Sequence, residues 1–245
     1  MRYQAALVLA SVRQHAYPKP LVLELDGPLE MNLRTPEQLL DAISNNSQKR
    51  RRELTTLASM IADARGAHKQ TLSRSGVLLA YAHWEGFAKN AADMYLRHIS
   101  SLALPLSALK APFQALASKA MIIKAGTAKT KINPHLAVIK HLVDDINSSK
   151  FVHYTEAITT ESNLTWDIFL NIITSINIPE NKWETYKGFI NDLVSERCAI
   201  AHGELYEVDE SHSIESLTIV RELIAHFSTE IENAAVLKTY MKLPK

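Results

Sequence analysis

The sequence predicts an all-α protein, folded as a bundle of about five to seven helices. Apolar residues recur at intervals of three and four residues through most of the chain, which is the period of an amphipathic helix. Glycine is scarce, with 7 residues in 245, and this argues against a turn-rich β fold. A short strand is predicted only at residues 21–25, near the start of the chain.

The predicted domain organisation is simple. Met31 begins a sequence more typical of a folded domain, so we predict an N-terminal extension at residues 1–30 and one helical domain at residues 31–245. The first residues resemble a signal peptide only faintly, because their apolar part is short and Arg13 follows at once. No apolar run approaches the roughly 18 residues of a membrane helix, and a single cysteine excludes a disulfide framework. We therefore expect a cytoplasmic protein without a membrane partner.

The first two helices have clear sequence boundaries. Thr35 and Pro36 are typical of a helix start, and Gln38 stands where a capping box needs it. Gly66 marks a break, and a second, long helix is predicted from there to about Leu104.

The second helix carries both apolar and polar groups in its middle. Tyr81 and Trp84 lie in its apolar stripe, so we predict that both are core residues and not base-stacking groups. Glu85 lies at the edge of the stripe. His83 points away from the stripe and is predicted to be exposed.

Residues 105–148 are the basic part of the chain. We predict a helix at residues 106–124, a polar loop at 125–131 and a short helix at 133–147. No Asp or Glu occurs between Met94 and Val143, so this part could follow an RNA backbone. The alternative is that its lysines are simply solvated on one of two complementary halves of the bundle. The lysines assigned to RNA binding are Lys119, Lys124, Lys129 and Lys131.

The C-terminal third is predicted to contain three helices, at residues 163–176, 182–202 and 214–240. Ser162 or Asn163 is the expected cap of the first, and Asn181 is the expected cap of the second. Gly203 is expected to end the second helix, because glycine takes a left-handed turn at low cost.

The helix that ends at Gly203 carries the strongest functional signal. Arg197 can bind phosphate oxygens with its planar fork, and His202 can move protons near neutral pH. Together they suit RNA cleavage in which a 2′-hydroxyl attacks the neighbouring phosphate without a metal ion. From the spacing alone, an exposed charge and a capping residue are the commoner interpretation. The ten histidines form no His-x3-His pair, so no metal site is predicted.

The spacing of the pair also predicts a homodimer. Arg197 and His202 lie roughly 140° apart around a straight helix, so their side chains do not meet unless the helix unwinds at Gly203. A two-fold axis beside this helix would bring two copies of the motif together into a composite site. Glu85 is predicted to orient Arg197 or His202.

Three stretches resemble one known family. Residues 197–203 resemble the arginine-x4-histidine signature of the HEPN superfamily. Residues 80–89, which lead to Tyr95, resemble the corresponding helix of the RiboL-PSP branch, and residues 160–164 are similar to that branch as well. The resemblance extends from about Pro36 to Tyr240.

The resemblance implies a HEPN-type helical bundle, a dimer and metal-independent RNA cleavage in toxin or phage-defence systems. The implied partners are RNA and an antitoxin or other defence-system protein, with no cofactor. Cys198 departs from the branch, where a polar residue such as asparagine is common at this position. A cysteine cannot donate the amide hydrogen bond that an asparagine donates. The alternative function is therefore a non-catalytic HEPN-like module that binds RNA, nucleotide or a protein partner.

Overall fold

The structure is a computed structural model that describes residues 33–152, 157–204 and 206–243. Within these ranges the chain forms seven α-helices and three short 3-10 turns, and no strand, which confirms the predicted all-α class. The predictions for residues 1–30, including the strand at residues 21–25, lie outside the described residues.

The seven helices are α1 (Pro36–Asp63), α2 (Gly66–Ser101), α3 (Ala111–Thr127), α4 (Asn133–Val143), α5 (Trp166–Ser175), α6 (Lys187–Ala201) and α7 (Glu210–Val236). The 3-10 turns are Leu106–Ala108, Glu180–Lys182 and Glu184–Tyr186.

The start of α1 is the capping box that the sequence predicts. The Gln38 backbone N–H donates to the Thr35 hydroxyl at 3.3 Å, and the Thr35 N–H donates to the Gln38 side-chain oxygen at 3.2 Å. Two N–H groups at the helix start are thereby satisfied. The break before α2 is also where the sequence places it, with Gly66 at a φ of +55°.

The three long helices α1, α2 and α7 pack against one another and form the centre of the bundle. An aromatic cluster joins them to the C-terminal third. The Trp84 ring centroid lies 5.1 Å from that of Phe169 and 6.1 Å from that of Phe227, and Trp183 lies 5.1 Å from Phe169. Aromatic side chains of this size bury roughly 150–250 Å² each, so the cluster fixes α5 and the turns before α6 against α2 and α7.

Three predicted boundaries are wrong, one for a tertiary reason and two because a different residue caps the helix. The helix predicted at 182–202 begins only at Lys187, after two 3-10 turns, because the buried Trp183 turns the chain into the core. Thr165 caps α5 in place of Ser162 or Asn163, with its hydroxyl accepting from Ile168 N–H. The last helix begins four residues before Ile214 because Asp209 caps it by accepting from Ser211 N–H at 3.1 Å.

Helix α6 packs chiefly against α2, whereas α7 packs against α1 and α2. The site on α6 therefore faces the middle of α2. Among the described residues, no helix combines the length and the hydropathy of a membrane-spanning segment.

Candidate functional site

Arg197 lies half-buried near the end of α6, with its guanidinium held by two other elements. Its Nη1 donates to the Asn163 side-chain oxygen at 2.9 Å. The guanidinium carbon lies 4.6 Å from the centroid of the Tyr81 ring on α2, which is a cation–π distance. Since Nη1 makes the only strong hydrogen bond that the guanidinium forms with described residues, most of its five N–H donors remain for a ligand.

Tyr81 connects Arg197 to the chain before α5. Its ring is buried, and its hydroxyl oxygen accepts the backbone N–H of Leu164 at 2.8 Å. Burial raises the pKa of Tyr81 to about 12, an effect larger than the opposing ones of the Leu164 hydrogen bond and the Arg197 charge. Tyr81 therefore stays neutral at physiological pH and offers Arg197 a ring face.

Glu85 lies one turn beyond Tyr81 on α2 and is partly buried. Its charge and its hydrogen bond with the Tyr81 hydroxyl both raise the pKa of that hydroxyl. Within the described parts of the chain, no ion pair joins Glu85 to Arg197 or to His202. Both Glu85 and Arg197 act on the Tyr81 hydroxyl, and the orienting role of Glu85 remains a prediction.

Asn163 is the site residue whose role the sequence does not predict. Its side-chain oxygen accepts from Arg197 and also lies 3.7 Å from the Cys198 sulfur. The Cys198 sulfur in turn lies 3.7 Å from Arg197 Nη1. A side-chain amide is therefore present beside Arg197, contributed by the segment before α5 and not by position 198. The similarity of residues 160–164 to the RiboL-PSP branch is the signal that could have identified it.

His202 forms the C-cap of α6, and its side chain is exposed. Gly203 follows with φ +80°, its N–H donates to Ile200 O at 3.1 Å, and Glu204 N–H donates to Ala199 O at 3.1 Å. This pair of hydrogen bonds is a Schellman motif, and it confirms the predicted role of Gly203. The imidazole forms no hydrogen bond or ion pair with another described residue, so it is free for a substrate.

Arg197 and His202 are not in contact within one chain, as far as the described residues show. Arg197 faces Tyr81 and Asn163, whereas His202 lies beyond the last turn of the helix. The helix stays regular to Ala201, so it does not unwind in a way that would bring the two side chains together.

The segment after His202 is tethered to α2 and α6. Arg74 on α2 donates to the backbone oxygens of Glu204 at 2.9 Å and Tyr206 at 3.3 Å. His212 Nε2 lies 2.8 Å from a Glu196 carboxylate oxygen, which links the start of α7 to α6. The sequence predicts none of these contacts, because each joins residues on different elements.

A cleft of about 280 Å³ lies beside α6. Carboxylates of Asp192 and Glu196 line it, together with the side chains of Phe189, Tyr206 and His212. Asp192 and Glu196, which lie close to Arg197 in the sequence, therefore form part of the wall of this cleft.

The four lysines assigned to RNA binding are all exposed. Lys119 and Lys124 lie on α3, and Lys129 and Lys131 lie in the connection to α4. Helix α3 also packs against α5, the helix that follows Asn163. The structure records no contact of these lysines with the Arg197 site.

His83 is buried in a polar contact with α1, so the prediction that it is exposed is wrong. Its side chain is only 12% exposed, and its Nε2 lies 3.2 Å from a Glu53 carboxylate oxygen. Arg50 Nη1 lies 3.4 Å from His83 Nδ1. A Cβ on Gly86 would lie 2.9 Å from Arg50 Nη1, so the missing side chain at position 86 makes room for this guanidinium.

Comparison with known proteins gives one match. The family model described as RiboL-PSP-HEPN matches residues 45–233, a range that runs from within α1 to near the end of α7. No curated protein and no solved structure matches the chain.

Proposed function

Because this chain belongs to the RiboL-PSP-HEPN family, we propose that it is a metal-independent endoribonuclease of a toxin or phage-defence system. The family indicates a nuclease-like or RNA-related module. The more specific activity is our proposal, and it rests on the arrangement around Arg197 and His202.

The observation that carries the proposal is a held arginine on α6 and, at the C-cap of the same helix, a histidine that contacts no other described polar group. Arg197 is positioned by Asn163 and Tyr81, and most of its N–H donors bind no described residue. His202 is fixed at its backbone by the helix cap, while its imidazole makes no hydrogen bond or ion pair with a described residue. Such a preorganised cation and an accessible acid–base group are what phosphodiester cleavage needs.

In the proposed reaction, the 2′-hydroxyl of one nucleotide attacks the adjacent phosphorus atom. A bond forms between the 2′-oxygen and phosphorus, and the bond from phosphorus to the 5′-oxygen breaks. His202 accepts the proton from the 2′-hydroxyl, and a second imidazole, or water, donates a proton to the leaving 5′-oxygen. Arg197 stabilises the negative charge on the non-bridging oxygens. The products carry a 2′,3′-cyclic phosphate and a 5′-hydroxyl.

We propose that the active unit is a homodimer with a composite site. The separation of Arg197 from His202 within one chain supports this, since α6 stays regular to Ala201. A two-fold axis beside α6 would place two arginines and two histidines around one phosphate.

The proposed partners are RNA and an antitoxin or another defence-system protein. The exposed Lys119, Lys124, Lys129 and Lys131 would contact RNA phosphates and release counterions. Glu85 would help to orient Arg197 by holding the Tyr81 hydroxyl.

A second candidate is a non-catalytic module that binds RNA or a protein partner. The observation that favours it is the pair of carboxylates, Asp192 and Glu196, in the cleft beside α6. Negative charge in this cleft would repel an RNA phosphate that approaches from that side, so it favours binding of a protein partner over binding of RNA there.

One assay separates the two candidates. Purified protein is incubated with a structured RNA in EDTA, and the product ends are analysed. We expect cleavage that leaves 2′,3′-cyclic phosphate ends and that disappears in the His202→Ala variant. The matched control is His68→Ala, which removes another exposed helical histidine. RNA binding without cleavage in the wild-type protein would support the second candidate.

A further inference from the structure

Helix α4 carries a hydrophobic stripe that no other described part of the chain covers. None of its residues is buried, although the helix packs along α3. Ile132 is 66% exposed, Leu136 55%, Ile139 59% and Val143 66%. Contiguous exposed apolar surface of this kind usually marks an interaction site.

The four residues follow a specific spacing. Intervals of four, three and four residues separate them along the helix, so they form one seam of the type found in coiled coils. Such a seam has two kinds of position, one followed by an interval of three residues and the other by an interval of four. In an antiparallel pair of such helices, each kind of position faces the other kind on the partner helix.

The seam is complementary to itself. When a second copy of α4 is laid antiparallel across it, Leu136 opposes Ile139 of the second copy, and Ile132 opposes its Val143. The two-fold operation then repeats both pairs, so that all four apolar residues of each helix are covered. The flanking positions place Lys140 near Asn133 of the second copy, and no two like charges meet.

The charges at the ends of α4 agree with this arrangement. Lys129 and Lys131 precede the helix, whereas Asp144 and Asp145 follow it directly. Antiparallel pairing brings the basic end of one copy to the acidic end of the other. It also sets the two helix dipoles side by side and antiparallel, so that the positive end of each lies near the negative end of the other.

We propose that α4 is a self-association surface, whose occupant is α4 of a second copy of this chain in an antiparallel, two-fold arrangement. The surface is separate from α6, but Lys129 and Lys131 are also assigned to RNA phosphates, so self-association is measured on protein free of RNA. A parallel arrangement would place the lysine-bearing ends against each other, and an isolated acidic helix from another protein would leave Asp144 and Asp145 facing like charge.

The test is the concentration dependence of the mass. Sedimentation velocity is run on the wild-type protein and on Leu136→Asp from about 1 to 100 μM, since small interfaces associate in the micromolar range. We expect the mass of the wild-type protein to rise with concentration through this association, and we expect that rise to be absent from Leu136→Asp. The control is Leu237→Asp, which puts the same charge on a side chain 70% exposed at the end of α7. An unchanged folded helix content by circular dichroism excludes unfolding.

Charge reversal tests the register. Lys131→Asp and Asp144→Lys should each weaken the association at least tenfold, and the chain that carries both should recover it. Carbodiimide crosslinking of a mixture of ¹⁴N- and ¹⁵N-labelled protein should give a mixed-mass Lys131–Asp144 product. A mass unaffected by Leu136→Asp would overturn the proposal. Binding of phosphatidylserine vesicles, or of an acidic helical peptide, through Leu136 without self-association would also overturn it.

Discussion

The guanidinium carbon of Arg197 lies 4.6 Å from the centroid of the Tyr81 ring, and the hydroxyl of that ring accepts the backbone N–H of Leu164. One tyrosine on α2 therefore supports the arginine of α6 and the chain segment that contributes Asn163. The two functions use different parts of the side chain, so they can be separated by substitution.

Replacing Tyr81 by phenylalanine should affect stability more than cleavage. The ring face under Arg197 remains, but the buried N–H of Leu164 loses its acceptor, which costs about 1–3 kcal/mol in the free energy of unfolding. Tyr81→Leu removes the ring face as well and should lower the cleavage rate about tenfold. Urea unfolding and single-turnover cleavage measure the two effects. Equal cleavage rates in the phenylalanine and leucine variants would contradict a cation–π role.

Removing the Asn163 side chain should lower cleavage by about ten- to a hundredfold, because Arg197 loses a charged hydrogen bond worth roughly 1.5–3 kcal/mol. Asn181→Ala, at an exposed position in a 3-10 turn, is the matched control and should cleave normally. If Asn163 supplies the amide that Cys198 lacks, then Cys198→Asn should partly restore the Asn163→Ala variant. Full activity in Asn163→Ala would show that its contact with Arg197 is irrelevant to the reaction.

Arg197→Ala and His202→Ala should each abolish cleavage and cell toxicity while the protein stays folded. If the site is composite, dimers that contain one chain of each variant should keep about half of the wild-type activity, since each mixed dimer retains one of its two Arg197–His202 sets. The activity of the mixture is measured on dimers purified with two different affinity tags. A mixed dimer without activity would show that arginine and histidine must come from the same chain.

The stability of the fold should depend on the protonation of His83. Burial lowers the pKa of His83, and the charge of Arg50 acts in the same direction against the opposing effect of Glu53. Since the folded state binds the proton more weakly than the unfolded chain, the free energy of unfolding is highest above the ordinary value of 6.5 and decreases as the pH falls below it. His83→Gln should flatten that decrease in urea titrations between about pH 7 and 5. His68→Gln, at an exposed site, should leave the slope unchanged.

Two helical glycines should respond to alanine by different amounts. Nothing lies within 4 Å of a Cβ at Gly188, so alanine there should stabilise the fold by up to about 1 kcal/mol. A Cβ at Gly86 would lie 2.9 Å from Arg50 Nη1, so alanine there should displace the guanidinium, and the cost of that shift should offset most of the gain in helix propensity. The double variant with Arg50→Ala should lose less stability than the sum of the two single variants. Thermal unfolding measures all four proteins, and additive losses would mean that the two positions are independent.

Features set by local rules could be predicted from the sequence. The capping box of Thr35 and Gln38 and the left-handed Gly203 each depend on a few neighbouring residues. The apolar stripe likewise identifies Tyr81 and Trp84 as core residues, and both are buried.

Features that depend on a distant partner could not be predicted. Asparagine is a common residue at helix caps, but the Asn163 side chain accepts a hydrogen bond from Arg197, 34 positions later in the chain. His83 has no polar partner on its own helix, and its exposure is decided by Arg50 and Glu53 on α1. The late start of α6 similarly follows from the burial of Trp183 among aromatic rings of other elements.

The tether that Arg74 makes has a consequence for how this site can change during evolution. Arg74 binds main-chain oxygens of Glu204 and Tyr206, which every amino acid provides, so the identity of these two side chains is irrelevant to the tether. Mutations of the exposed Glu204 can accumulate without breaking the tether, whereas the Tyr206 side chain also lines the cleft and donates to Glu196. The surface next to the candidate acid–base group is therefore free to diversify, and new substrate preferences can arise at low risk to the fold.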